Sequence, residues 1–296
     1  MDKEILDAYI KAGKIAAQAL QFGKSLIKPG TKVIDLLNQV EDKIIDLNGE
    51  IAFPAQISLN EVAAHQCSDL NDETVLQDQV VKLDIGVLIK GYIADTACTV
   101  DLSGKYTKLV QASEEALNEA LKLATPGTTL AEIGAKIHEV ITSHGFAPIK
   151  NLSGHGLDYF EIHTHPSVPN FDNGNQTILE EDMVIAIEPF ASTGAGIVQE
   201  SSPATVFSLT EDYPVRDPIT RTILKEIKKY QELPFAKRWL EEEFTTLRTN
   251  FALRTLKRNG SLTEHPPLVD QNKGMVSQAE HSVIVRNQPL VFTRPE

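Results

Sequence analysis

An internal repeat constrains this chain more than any other feature. KPGTKVIDLLNQVEDKII at 28–45 aligns with TPGTTLAEIGAKIHEVIT at 125–142 at a constant offset of 97. Pro29, Gly30 and Thr31 match Pro126, Gly127 and Thr128; Asp35, Val40 and Ile44 match Glu132, Ile137 and Ile141. A repeat of this kind narrows the fold before any single residue is weighed. Thr31 and Thr128 follow Pro-Gly turns as expected N-caps, and apolar residues then recur every three or four positions. An Ala- and Leu-rich helical pattern precedes each copy, so the unit reads as helix, turn, helix. A β-rich stretch follows each: VVKLDIG with YIADTACTV in the first half, MVIAIEPFAS in the second, and HSVIVRNQPLVF near the C-terminus. The expected architecture is α+β, with two pseudo-twofold halves whose sheets face one another.

These strands carry carboxylates where apolar residues are expected. Asp84 and Asp95 lie in the first pair of strands, Glu188 in MVIAIEP and Glu280 beside His281 in SQAEHSVIV. A buried ionised carboxylate is costly without a partner. For each acid alone, an ion pair with a lysine such as Lys82 or Lys90 is a sufficient account. The repeat changes this, because it brings Asp84 and Asp95 of one half towards Glu188 and Glu280 of the other. Four convergent carboxylates repel unless cations neutralise them, and divalent metal is the simplest solution. Asp84 and Asp95 are eleven apart across a short turn at Lys90-Gly91, which suits one face of a hairpin and a two-metal clamp.

Three of the eight histidines fall within NLSGHGLDYFEIHTHPSVPN, residues 151–170. Gly154 and Gly156 flank His155 and let backbone approach the imidazole, as a ligand at a strand end requires. His163 and His165 form an H-x-H pair, a rival metal site on spacing alone. His138, His144 and His265 read as surface or packing residues, with His265 in a loop before Pro-Pro.

Residues 206–270 are a compositional island with net charge +1, against −14 for the remainder, and they contain the only tryptophan, Trp239. Leu240, Phe244, Leu247, Phe251 and Leu256 fall near helical spacing, so the segment reads as a small helical insert. Its basic residues read as a solvated helix face, with contact to RNA or ribosome as the rival reading. The overall net charge of −13 disfavours general nucleic-acid affinity, so no DNA partner is expected. The N-terminus lacks a signal peptide and no run is long enough to span a membrane, so a cytoplasmic protein without membrane contact is expected. Two cysteines, Cys67 and Cys98, without C-x-x-C spacing support neither a disulfide framework nor a thiolate site.

FPAQISLNEVAAHQCS (53–68), KLDIGVLIKGYIADTACTV (82–100), NLSGHGLDYFEIHTHPSVPN (151–170), MVIAIEPFAS (183–192) and QAEHSVIV (278–285) together resemble the motif series of type II methionine aminopeptidases of the short archaeal kind. The five blocks run in order through essentially the whole chain. The resemblance implies a pita-bread fold, spanning residues 1–205 and 271–296, with a winged-helix-like insert at 206–270. No long basic N-terminal extension is expected, since the first repeat begins almost at Met1. By motif, the metal ligands fall on Asp84, Asp95, His155, Glu188 and Glu280. The resemblance makes His163 a substrate-side histidine, places His65 at the methionine pocket and leaves His165 without a role. Glu188 becomes the proton shuttle.

The implied cofactors are two divalent ions from among Co, Mn, Fe and Zn, a set that this oxygen-rich donor pattern does not narrow to one. The implied activity is removal of the initiator methionine from nascent chains, preferentially before a small second residue, by a monomer. Two other readings share the fold. An X-Pro peptidase of the prolidase kind usually carries an extra N-terminal domain, whereas residue 1 leads straight into the first repeat here. A non-catalytic binding protein of the proliferation-associated kind loses ligands, whereas all five positions are intact.

Overall fold

The computed structural model of the chain describes residues 1–294. In the first half, helices α1 (Lys3–Leu26) and α2 (Val33–Asp46) precede strands β1 (Glu50–Leu59), β2 (Val62–Ala64), β3 (Val80–Ile89) and β4 (Tyr92–Asp101). In the second, α3 (Thr107–Lys122) and α4 (Leu130–Ser143) precede β5 (Ala147–Pro148), β6 (Ser153–Asp158), β7 (Glu161–Pro169), β8 (Val184–Ile187), β9 (Phe190–Ser192) and β10 (Val198–Glu200). The repeated helix pair is thus present in both halves. Its caps differ from expectation. Thr129, one residue after Thr128, caps α4 in a reciprocal capping box with Glu132, while its counterpart Lys32 makes no side-chain cap on α2. Thr31 instead donates to the Leu26 carbonyl at 2.9 Å, and Thr128 pairs with Thr125 at 3.1 Å.

The island contains β11 (Val206–Leu209), α5 (Pro218–Ile227), β12 (Phe235–Ala236), α6 (Lys237–Glu243), α7 (Thr246–Arg258) and β13 (Leu262–His265). It is not helical throughout: β12, β11 and β13 form a three-stranded sheet. Ile223, Leu224, Ile227, Phe235, Leu240, Ala252, Leu253 and Leu256 give it a hydrophobic core of its own. The single helical stripe expected from Leu240 to Leu256 is broken between α6 and α7, and this turns Leu247 and Phe251 outward, 81% and 49% exposed. Buried Arg238 (1% exposed) and Trp239 anchor the island to α2: both donate to Glu41, and Arg238 also donates to Asn38.

The chain returns through β14 (Leu268–Asp270), β15 (Val276–Gln278), β16 (Glu280–Ile284) and β17 (Leu290–Val291). The two halves do not present separate facing sheets. β16 inserts between β4 and β8, joining them in one antiparallel sheet of order β1-β3-β4-β16-β8-β6-β7, with β17 paired to β16. Convergence of the halves is therefore lateral, along hydrogen-bonded rungs. One face of this sheet is apolar and covered by helices. Leu83, Ile85 and Val87 of β3 pack in one cluster with α1 and α2, and Ile185, Ile187 and Val283 pack in another with α3 and α4. Because side chains alternate along a strand, the residues between these point to the opposite face.

Candidate active site

The ladder registers put all five predicted ligand positions on that opposite face. Asp84 opposes Ala97, and Asp95 lies two residues from Ala97 on the same strand. Ala97 in turn opposes Glu280 of β16. Ala186 of β8 faces Ser282 on one side and His155 of β6 on the other. Glu188, two residues beyond Ala186, therefore shares the face. The turn that sets the first register is two residues long, Lys90 and Gly91, both with positive φ (51° and 87°), as a tight right-twisted hairpin requires.

The geometry is correspondingly close. His155 Nε2 lies 3.5 Å from Asp95 Oδ2 and 3.9 Å from Glu188 Oε1. One donor atom each from Asp95, His155 and Glu280 fall within 4.8 Å of one another. Among the described residues, this donor cluster is built on His155 rather than on the H-x-H pair. Gln278 Nε2 donates to Asp84 Oδ2 at 3.3 Å. The other oxygens, Oδ1 of Asp84 and of Asp95, are buried without a hydrogen-bond partner. The lysines considered as ion-pair partners lie elsewhere: Lys82 donates to the carbonyls of Asn60 and Val276, and Lys90 is exposed in the turn.

Burial pushes the Asp84 carboxyl up to about 7, against the hydrogen bond from Gln278. Burial, then the charges of Asp84 and Glu188, hold Asp95 well above the usual carboxylate range. Burial and Asp84 do the same to Glu188; burial and the other three acids do so to Glu280. Burial lowers His155 to about 4, which keeps its ring neutral with a free lone pair. Four crowded carboxylates with orphaned oxygens and one neutral imidazole are a donor set that a divalent cation satisfies directly. The residues fit such a group, and their hard oxygen character matches Mn, Fe or Co.

His65 and His163 line the same cleft, about 370 Å³ in volume, with Asp84, Asp95, Glu188 and Glu280. Both have a left-handed backbone, φ 64°, which is unusual for a β-carbon-bearing residue and typical of side chains forced into a site. The His163 ring meets His155 edge-on at 4.5 Å. Its place in the concave cleft, then the imidazoles of His155, His65 and His265, keep it well below the ordinary histidine range although its ring is open to the cleft. Burial and His265 lower His65 to about 4, and its Nδ1 is buried without a partner.

His265, set aside as a loop residue, ends β13 and lines the cleft, 5.7 Å and edge-on from His65. Its Nε2 shares a 2.8 Å hydrogen bond with Ser208, and it opposes Val206 across the island's sheet. No local pattern could have found it, since its partner His65 lies 200 residues away. Gln278 was likewise missed as an Asp84 contact. His165 also lines the cleft, while His144 pairs with Glu115 at the surface as a solvated helix residue should.

Residues 7–212 match the model of metallopeptidase family M24. The methionine aminopeptidase of Archaeoglobus fulgidus is 44% identical over 295 residues, covering 99% of each chain. That of Methanocaldococcus jannaschii is 42% identical over 297 residues, again covering 99% of each. Among solved structures, the methionine aminopeptidase of Thermotoga maritima aligns with TM-score 0.72 at 22% identity, over 100% of this chain and 98% of that one. A thermophilic Arx1 aligns with TM-score 0.87 at 19% identity, covering 100% and 92%. The prolidase of Pyrococcus furiosus aligns with TM-score 0.62 at 19% identity, and 65% of that chain is covered. At these identities the solved structures speak for the pita-bread fold alone. The family model and the full-length sequence relatives go further: this chain belongs to metallopeptidase family M24, on the branch of the methionine aminopeptidases.

Proposed function

We propose that the chain removes the initiator methionine from nascent proteins as a dinuclear metallo-aminopeptidase. The observation that carries this reading is the single sheet face bearing Asp84, Asp95, His155, Glu188 and Glu280, with two buried carboxylate oxygens left unpaired. These five side chains would hold two divalent ions, Asp84 and Asp95 mainly one and His155 and Glu188 mainly the other, with Asp95 and Glu280 shared. Such ions, when bound, supply Lewis-acid polarisation of a carbonyl and acidification of water.

The chain's own residues do the rest. Glu188, whose side chain keeps 14% of its surface open, is placed to receive a proton and pass it to the leaving amine. His163 reaches the scissile carbonyl region from the cleft wall and donates a hydrogen bond to the developing oxyanion. His65, with His265 against it, bounds the pocket for the methionine side chain. The acids around Asp84 also favour a substrate with a free α-amine, which an internal peptide bond does not offer. The preference for a small second residue belongs to the same reading.

Glu188→Gln and His163→Ala, assayed for methionine release from Met-Ala-Ser with Mn²⁺ or Co²⁺, are each expected to lose at least about a hundredfold in rate, about 2.7 kcal/mol of transition-state stabilisation. Full activity in either variant removes the role assigned to that residue. The prolidase alternative is checked by Ala-Pro hydrolysis, which we expect to be negligible; all five ligand positions argue against a non-catalytic binder. Among the described residues no helix is long and apolar enough to cross a membrane, and we place the activity in the cytoplasm, in a monomer. For the insert, taken as residues 206–270, we keep the solvated-face reading. A transient ribosome contact would draw on exposed Arg248, Arg254, Lys257 and Arg258 of α7.

A further inference from the structure

Lys82 is completely buried, 0% exposed, on the same face of β3 as Asp84. Among the described residues it forms no ion pair. Its Nζ donates to two backbone carbonyls, Asn60 at 3.0 Å and Val276 at 2.9 Å. Asn60 is a left-handed residue (φ 53°) in the β1–β2 turn, and its own carbonyl also accepts from the Val276 amide at 3.0 Å. The ammonium therefore ties together β3, the β1–β2 turn and β15.

β15 is not a member of the main sheet; its ladder partner is β9. Its alignment over β3 and β4 depends on side-chain bonds. Lys82 to Val276 is one rung. Two residues further along both strands, Gln278 Nε2 to Asp84 Oδ2 at 3.3 Å is the next. Thr99 Oγ1 of β4 bonds both the carbonyl (2.6 Å) and the amide (2.9 Å) of Gln278, which leaves its side chain aimed at Asp84. Two carbonyl oxygens turned onto one compact ammonium, which has no carboxylate partner among the described residues, take up two of its three donors. Removing the ammonium would take this donor from the Val276 carbonyl and leave the Asn60 carbonyl with the Val276 amide alone.

We propose that Lys82 is a positioning residue for the carboxylate centre: its ammonium is a tethered monovalent cation that registers β15 against β3 and so aims Gln278 at Asp84. This rests on the reading of Asp84 as a metal ligand. A partner that orients a ligating carboxylate typically changes metal affinity by about 10–100-fold.

The test is Mn²⁺ binding by titration calorimetry, with kcat and KM for Met-Ala-Ser read alongside. Lys82→Ala is expected to bind Mn²⁺ about 10–100-fold more weakly. Ammonium, methylammonium or K⁺ should restore affinity, and tetramethylammonium at equal ionic strength should not. Gln278→Ala should show the same loss, with no further loss in the double variant. If Lys82→Ala does not fold alone, rescue is read as recovery of the folded fraction in ammonium but not in tetramethylammonium. Wild-type Mn²⁺ affinity in Lys82→Ala, additive losses in the double variant, or no recovery with any small cation overturns the proposal. Asp84→Asn separates the two readings: if it keeps full Mn²⁺ affinity, the metal assignment fails whatever Lys82 does.

Discussion

Two hairpins of the same sheet carry side chains into the cleft by opposite means. The β3–β4 hairpin is regular: ten consecutive rungs run from Val80–Asp101 to Ile89–Tyr92 without a break. Its period of two suffices to put Asp84 and Asp95 on one face and Leu83, Ile85 and Val87 on the other. The β6–β7 hairpin is irregular, with register shifts on both sides of Gly156 and a left-handed residue at His163. Here backbone crowding takes the place of alternation. A Cβ on Gly154 would strike the Ala186 carbonyl oxygen, and one on Gly156 the carbonyl oxygen of His165. The buried acids of the first hairpin are held on regular structure, while the imidazoles of His155 and His163 enter the cleft from irregular structure.

The largest expected effect tests the regular side. Asp95→Asn, which leaves the fold's hydrogen bonds to the Asp95 backbone in place, should abolish Mn²⁺ binding in calorimetry and reduce methionine release below detection. Retained tight binding would show that the ladder does not set the centre.

Metal dependence on pH comes next. Asp84 is raised to about 7 in the metal-free fold, so its proton stabilises that fold at low pH. The contribution is lost as pH rises through about 7, the window in which a cation takes over. The stabilisation on adding a fixed concentration of Mn²⁺, read from thermal or denaturant unfolding, should therefore grow from pH 5 to pH 8, reaching about 2.7 kcal/mol where the ion is in hundredfold excess over its Kd. A gain independent of pH would separate the carboxylates from the ion.

The hairpins should also differ under packing changes. Gly156→Ala should cost about 1–3 kcal/mol in denaturant unfolding, since backbone rather than a flexible side chain must yield. Ile85→Val in the regular hairpin should cost about 0.5–1.5 kcal/mol and leave Mn²⁺ affinity unchanged. Equal costs and equal affinities would erase the contrast. The smallest effects belong to the repeated helix pair. Thr129→Ala should lose about 1 kcal/mol with the capping box, whereas Lys32→Ala, in an exposed ion pair with Glu73, should lose a few tenths.

The repeat and the strand chemistry were legible because they are local and periodic. Every one of the seven predicted site residues lines one cleft. What was not legible depended on distant pairing. The position of β16 between the halves replaced the expected facing sheets with one continuous sheet. His265 came to His65 only through the island's own sheet, and Gln278 came to Asp84 only through β15. The broken stripe in the island shows the same limit, since apolar spacing did not reveal that α6 ends before Phe244.

The sequence by itself determined which residues carry charge into apolar strands, and a carboxylate in such a strand demands a partner wherever it folds. It also determined the doubled helix pair, because turn chemistry and 3.6-residue periodicity act within one segment. Only the tertiary structure decided how the halves meet. Ladder register between strands nearly 200 residues apart chose the common face for Asp84, Asp95, Glu188, Glu280 and His155. Tertiary packing also left Lys82 to hold two carbonyls rather than an acid. Such choices depend on long-range hydrogen bonding and shared burial, which no local pattern along the chain encodes.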